Sequence, residues 1–441
     1  MRVVGLSNEM HSTNTTRAII HLDLDAFFCA VEEQRDPSLR GVAFAVGGRP
    51  EGRGVVASCS YAARAFGVRS AMPMARAVAV CPGLRVVPPA FDAYREASHG
   101  VMERLHALTP LVEQISIDEA FLDVSALVAT ADPLLQNGET IARQLQAEIA
   151  SQLNLACSLG VAGNKLVAKI ATDVGKSAAR SDGQADSTQL ANGASFTVHR
   201  LPSSVYHSPC AICVVAAGRE AEFLAPLSVS AMWGVGPKTA ERLLSLGITT
   251  IGDIAAWPEA ELVRFLGKHG ADLQLRAHGI DHRPIVTEHE TKSISQETTF
   301  ERDVLDGELL RQTLREQAVT IARKLRRKQL TGSTVKLKIR WPDFTTPTRQ
   351  LTLAAPTDSD EEIAAAALRL LAQTWDESQP VRLIGVGVSG LGETPRQLGL
   401  WDAPLVNQHQ QQKVRAALDA VRTRLGAGVV RRASEIEREE L

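Results

Sequence analysis

Residues 18–41 read AIIHLDLDAFFCAVEEQRDPSLRG. The run 18–25 is strand-like, with branched apolar residues leading into carboxylates. From Phe28 to Gln34 the spacing turns helical, and Asp36-Pro37 ends it. In a strand Asp23 and Asp25 share one face and Leu22 and Leu24 the other. Carboxylates are costly on a strand unless solvated, paired or bound to a metal.

A second acidic segment, Ser116-Ile117-Asp118-Glu119, sits inside 111–124, which reads as two strands joined by a tight turn. Asp118 and Glu119 are adjacent and point apart in a flat strand, so they reach one ion only if a turn lies between them. Carboxylates from two segments make a hard-cation site of the kind Mg²⁺ shares with substrate phosphates. Spacing alone favours a solvated turn with a surface salt bridge.

Strands are expected at 42–46, 55–58 and 156–161, and helices at 61–66, 140–152 and 165–170. The eight residues 47–54 hold four Gly and one Pro and read as a loop. This alternation reads as an α+β or α/β catalytic unit. From Lys176 to about Pro209 periodicity is lost, and Ser, Ala, Gly and Asp predict a flexible insertion. Helical patterns fill 218–281, a linker spans 282–291, and a second α/β block covers 293–391. A charged amphipathic helix is expected at 410–425 in the tail.

Further groups carry possible chemistry. Tyr61 and Arg64 lie one helical turn apart, and could grip phosphate or be a packed Tyr beside a surface Arg. Lys165, Lys169 and Lys176 could face a polyanion or simply water. Gly234-Val235-Gly236-Pro237-Lys238-Thr239 lacks the strand and third Gly of a dinucleotide fingerprint. It fits a helix–hairpin–helix on a nucleic-acid backbone, or an ordinary turn between helices. Between 321 and 342 there are eight basic residues and no acidic one. Lys336, Lys338 and Arg340 alternate, so they line one face of a strand and form a footprint for phosphates.

The 441 residues carry 48 Lys+Arg against 50 Asp+Glu, a net charge of −2, which excludes a wholly basic nucleic-acid binder but not basic patches. At 44% hydrophobic and 22% charged the composition is that of a globular chain of two to four domains. No apolar run is long enough for a membrane span, and the polar first 17 residues lack the core of a secretory signal. A cytoplasmic location is expected. Six scattered cysteines do not make a disulfide framework. Cys210 and Cys213 have no partner pair at zinc spacing, so reduced thiols are expected.

Taken together, these segments resemble the Y-family DNA polymerases, in particular the DinB branch. The matching pieces are HLDLDAFFCAVEEQRDPSLRG (21–41), SYAARAFGVRSAMP (60–73), SIDEAFLDVS (116–125), GVAGNKLVAKIATD (160–173) and WGVGPKTAERLLSLGITTIGDIA (233–255). RLIGVGVSGL (382–391) and RQLGLWD (396–402) continue the match toward the tail. Seven motifs in order make the resemblance specific.

The resemblance implies an α+β right-hand polymerase. Its palm would be 17–26 plus 90–217 with the insertion at about 177–209, and its fingers 27–89. A helical thumb with the hairpin would be 218–284, an α/β little finger 293–391, and a tail 392–441. It implies an error-prone translesion DNA polymerase, without proofreading, acting on primer–template DNA and deoxynucleoside triphosphates as a monomer. The rival implied by the same motifs is an inactive paralogue that recruits repair proteins. Asp23, Asp118, Glu119 and the Leu24 carbonyl would hold two Mg²⁺ ions. Asp23, Asp118 and Glu119 would be the catalytic set. Phe28 would exclude ribose, and Phe27, Phe28, Ser58, Tyr61, Arg64 and Lys176 would contact the nucleotide. Gly234, Gly236, Lys238, Thr239, Lys336, Lys338 and Arg340 would contact DNA. Gln397, Leu398, Leu400 and Trp401 of the peptide 397–401 would bind the bacterial sliding clamp. The sequence departs from the family where the lysine equivalent to Lys176 is followed by 177–209 rather than by Pro-Asn-Gly.

Overall fold

A computed structural model describes residues 17–129, 137–181, 196–200, 209–393, 417 and 421. The chain divides into two compact units, Met1–His289 and Glu290–Leu441.

In the first unit the strands are β1 (Ile19–Leu24), β2 (Phe44–Gly47), β3 (Val56–Cys59), β4 (Arg85–Val87) and β5 (Val112–Gln114). They continue with β6 (Glu119–Asp123), β7 (Cys157–Ala162), β8 (Thr197–Arg200) and β9 (Ala211–Val214). The helices are α1 (Phe27–Arg35), α2 (Tyr61–Ala65), α3 (Met74–Val80), α4 (Phe91–Leu108), α5 (Ser125–Val128) and α6 (Gly138–Leu153). After α7 (Lys165–Ser181) come α8 (Glu220–Leu224), α9 (Pro237–Ser245), α10 (Ile251–Ala256), α11 (Glu259–Leu266) and α12 (His269–Ala277).

Strands assemble in the order β5-β6-β1-β7-β9-β8, with β3-β2-β4 forming a separate small sheet. The strand β1 is central, antiparallel to both β6 and β7. Its two faces are both buried, which is why IIHLDL is so apolar. Ile20, Leu22 and Leu24 join Tyr94, Val101 and Leu105 of α4 and Ile141, Leu145 and Ile149 of α6 in one core. Ile19 joins Leu166, Val167 and Ile170 of α7 in the other.

Two expectations need correction. Asp25 does not share a strand face with Asp23, because β1 ends at Leu24. Its carboxylate is buried and accepts hydrogen bonds from Ser158 Oγ at 3.0 Å and the Cys210 amide at 3.0 Å. The expected insertion is also partly regular. The helix α7 continues through Ser181, with Ala179 in the core, and β8 pairs antiparallel with β9. Gly175 is part of the reason: a Cβ there would stand 3.1 Å from the Cys213 Cβ, so its absence lets α7 lie close on β9. Residues 182–195 and 201–208 lie outside the described residues, as do most of 410–425.

The second unit is a four-stranded antiparallel sheet, β10 (Ser293–Val304), β11 (Leu330–Arg340), β12 (Thr348–Thr357) and β13 (Val381–Glu393), ordered β10-β13-β11-β12. Helices α13 (Gly307–Arg327) and α14 (Asp360–Thr374) supply Leu310, Leu314, Ile321, Ile363 and Leu370 to one core with Val335, Leu337 and Ile339 of β11. The intervening Lys336, Lys338 and Arg340 are left on the sheet's opposite face, as the alternation predicts. Among the described residues no helix is long and apolar enough to cross a membrane. All six cysteines are buried free thiols.

Candidate active site

Pairing of β1 with β6 sets Asp23 directly opposite Glu119. The turn before β6 is tight: the amides of Ile115 and Ser116 both donate to the Glu119 carbonyl, at 3.0 and 3.2 Å. Leu24 N–H donates to the Asp118 carbonyl at 2.9 Å, which fastens that turn to the end of β1. Asp118 is the last turn residue and Glu119 the first strand residue. The tight turn therefore ends at Asp118 rather than lying between Asp118 and Glu119.

Asp23, Leu24, Phe27, Phe28, Ser58, Tyr61, Arg64, Asp118 and Lys176 line one cleft of about 330 Å³, with Ala26, Ala57, Ser70 and Asp173 completing its wall. Every nucleotide residue expected from the sequence is in it. Ala26 adopts a left-handed backbone (φ 46°), turning the chain from β1 into α1 at the rim. No side chain caps α1, so its first amides are left for another acceptor. The α2 helix opens on Ser60, whose Oγ accepts from Ala63 N–H. It presents Tyr61 with the Arg64 guanidinium 4.7 Å above its ring.

Helix α7 packs on the strands and brings three residues to the site from one face. Lys169 pairs with Glu119, Thr172 reaches His21, and Lys176 Nζ lies 2.5 Å from Asp23 Oδ1 and 3.2 Å from Asp25 Oδ1. Burial opposes the charge on Lys176, but Asp25 and Asp23 outweigh it and raise its pKa. Burial pulls Lys169 the other way, opposed by Asp173. These lysines thus face carboxylates rather than a polyanion or water. Lys165 likewise pairs with Glu113, at 2.6 Å.

His21 carries a role that sequence reasoning missed. Burial, reinforced by the Lys169 charge, holds its pKa well below normal, so the ring is neutral. Its Nε2 lies 2.7 Å from Glu119 Oε1, and an ionised carboxylate only accepts. The network therefore assigns the ring proton to Nε2, and Nδ1 accepts from Thr172 Oγ1 at 2.8 Å. One signal was available: a histidine in a run otherwise buried on both sides needs partners.

Hard-cation chemistry fits this donor set. Asp23 and Asp118 both bring carboxylate oxygens to the cleft lining, and an ammonium group already occupies the position of a counter-cation at Asp23. Glu119 is turned toward His21 and Lys169 and does not line the cleft. Among the described residues no three acidic, His or Cys side chains are drawn together around one point.

The expected DNA contacts occupy two places. Gly234 (φ 97°) turns the chain, and Gly236 precedes Pro237 at the first position of α9, whose N-terminus has no side-chain cap. Gly234, Gly236 and Lys238 are exposed. In the second unit Lys338 Nζ reaches Glu297 Oε2 at 2.7 Å, and Arg340 Nε donates to Thr346 Oγ1 at 2.9 Å. Gln397, Leu398, Leu400 and Trp401 lie outside the described residues.

A central mixed sheet with acidic residues at its strand ends, a cleft beside them, a region of short helices and a separate α/β unit fit a right-hand polymerase of the Y-family type. The solved Y-family polymerase chimera Dbh-Dpo4(243-245)-Dbh superposes with a TM-score of 0.69, covering 86% of this chain and all of that one at 23% identity. The profile of the impB/mucB/samB family matches residues 22–173, its C-terminal domain 291–400, and the IMS family HHH motif 217–248. DNA polymerase IV of Desulfatibacillum aliphaticivorans is 39% identical over 94% of this chain and 96% of its own length. That of Streptomyces coelicolor is 41% identical over 86% and 72%. The chain belongs to the DNA polymerase IV family, the DinB branch of the Y-family DNA polymerases.

Proposed function

We propose that the protein is a template-directed translesion DNA polymerase that adds deoxynucleotides to a primer 3′-hydroxyl without proofreading. The observation that carries this is the gathering of Asp23, Asp118, Phe28, Tyr61, Arg64 and Lys176 around one cleft. Family membership supports the same activity. We assign the palm to 17–26 plus 90–217, the fingers to 27–89, the thumb to 218–284 and the little finger to 293–391. The enzyme works as a monomer in the cytoplasm.

Asp23, Asp118 and the Leu24 carbonyl would hold two Mg²⁺ ions, with Glu119 completing the acidic set. Bound magnesium supplies a more acidic primer hydroxyl and charge stabilisation on the departing pyrophosphate. The protein's own part is positioning and electrostatics. Lys176 is paired with Asp23 and Asp25, and from that position its ammonium would reach the triphosphate. Arg64, steadied on the Tyr61 ring, offers a fork to phosphate oxygens, and the uncapped amides of α1 face the same anion. The flat ring of Phe28 leaves no room for a ribose 2′-hydroxyl and no partner for it. Small Ala57, Ser58 and Ala71 leave the nascent base pair loosely checked, which suits damaged templates.

Gly234, Gly236, Lys238 and Thr239 follow the duplex backbone, and Lys336, Lys338 and Arg340 grip it without reading sequence. The peptide 397–401 anchors the bacterial sliding clamp through Gln397, Leu398, Leu400 and Trp401. Its removal is expected to abolish stimulation by the clamp and leave basal synthesis intact. Unaltered stimulation would place the contact elsewhere.

The deciding experiment is primer extension on undamaged and abasic templates with Mg²⁺, beside Glu119→Ala. Extension past the lesion that depends on Glu119 is expected. DNA binding with no extension would sink the activity and favour a recruiting paralogue.

A further inference from the structure

We propose that Glu32 is a positioning residue for sugar selection, acting through Tyr94 on Phe28. The inference rests on Phe28 being the sugar gate.

Phe28 stands on the cleft wall, and its ring stacks on Tyr94 with centroids 4.2 Å apart and planes 11° from parallel. Such a pair resists tilting but slides readily, since offset stacks differ little in energy. Tyr94 is prevented from sliding at its far end. Its ring is fully buried, and its hydroxyl donates to Glu32 Oε1 at 2.5 Å. Glu32 follows Phe28 by one turn of α1, so a single helix carries both the gate and the group that fixes its support.

Glu32 is only 3% exposed, an unusual place for a carboxylate. Burying it is costly unless it is fully partnered. Its second oxygen takes Arg35 Nη1 at 2.7 Å, which leaves Oε1 committed to the tyrosine. Phe91 closes the remaining side, edge-on to both rings at 6.3 and 5.9 Å. A steric gate discriminates only if it cannot retreat. Here retreat of Phe28 requires Tyr94 to move, and that breaks a buried hydrogen bond to a charged acceptor.

The test is single-turnover incorporation of a deoxynucleotide and the matching ribonucleotide, with thermal unfolding recorded for each variant. Glu32→Ala and Tyr94→Phe are expected to lower discrimination roughly three- to tenfold, the scale of one buried hydrogen bond. The change should come from faster ribonucleotide incorporation. Glu32→Gln keeps an oxygen acceptor and should restore most of the selectivity. Tyr94→Phe removes one hydroxyl and keeps the ring, so the idea stays testable if Glu32→Ala does not fold. A merely structural brace would lower the melting temperature and leave the ratio unmoved. An unmoved ratio in both variants, while Phe28→Ala admits ribonucleotides, overturns the role of Glu32 alone. An unmoved ratio in Phe28→Ala as well overturns the gate and this inference with it.

Discussion

Asp23 and Glu119 face one another across the β1–β6 ladder, yet each carboxylate is held by a different lysine of α7. Two like charges directly opposite in register repel, and two ammonium groups on one face of a helix relieve that repulsion. Asp23 and Glu119 are therefore each paired with an ammonium group before any cation arrives. Four predictions follow from this arrangement and from the surfaces around it.

Asp118→Ala should abolish nucleotide addition while DNA affinity changes less than about twofold. Asp118 lines the cleft and its side chain bonds only locally, accepting from Ser116 Oγ at 2.6 Å. Primer extension beside fluorescence anisotropy reads both properties. Retained synthesis would refute the metal assignment.

Gly160→Ala should cost roughly 1–3 kcal/mol of stability, the range for overpacking a full core. An added Cβ would stand 1.9 Å from the Ala168 carbonyl and 2.7 Å from Thr172 Oγ1, so α7 must move off β7. Activity should fall further than stability, because the same helix carries Lys169 and Lys176. Urea unfolding measures the first effect, and an unchanged midpoint would contradict the contact.

Glu297→Gln should tighten DNA binding a few-fold at low salt and steepen its salt dependence. Glu297 reaches Lys338 across the central strand at Gly385, which has no side chain to intervene. The pair is solvent-exposed and contributes little to stability, less than about 1 kcal/mol. Weaker binding in the variant would show instead that the pair orders Lys338 for its contact.

Asp253→Asn should destabilise the fold around α10 by about 1 kcal/mol at neutral pH, the usual value of a helix cap. Asp253 closes a capping box with Thr250 at the start of α10. Hydrogen bonds from the Thr250 and Thr249 amides hold its carboxyl down from 3.8 to about 2. A depressed pKa gives stability that is full above the unfolded value and lost as pH falls through the folded one. The difference between wild type and variant should therefore shrink between about pH 4 and pH 2 in urea titrations. A difference independent of pH would rule out the ionised cap.

Much of the site was legible because its signals are local. The existence of β1, the acidic turn at Asp118, and Tyr61 with Arg64 on α2 all depend on neighbours within a few positions. What stayed hidden depends on distant partners. His21 finds Thr172 and Glu119 at separations of 151 and 98 residues, so no spacing rule links them. Likewise Ser177 to Ser181 is small and polar and reads as a linker. It is helical because Ala179 packs into the core and Gly175 lets α7 settle on β9. The four residues of β8 are too few to show a period, and only pairing with β9 makes them a strand.

Because Lys169, Thr172 and Lys176 all project from α7, the alignment of the site is set by one rigid rod. Sliding that rod by a single turn, about 5.4 Å, would break every one of its contacts to β1 and β6 together. A partly seated helix has no half-correct arrangement to fall into. Polymerising capacity should then be inherited whole or missing in each molecule, so damaged or incompletely folded copies become silent rather than sloppy.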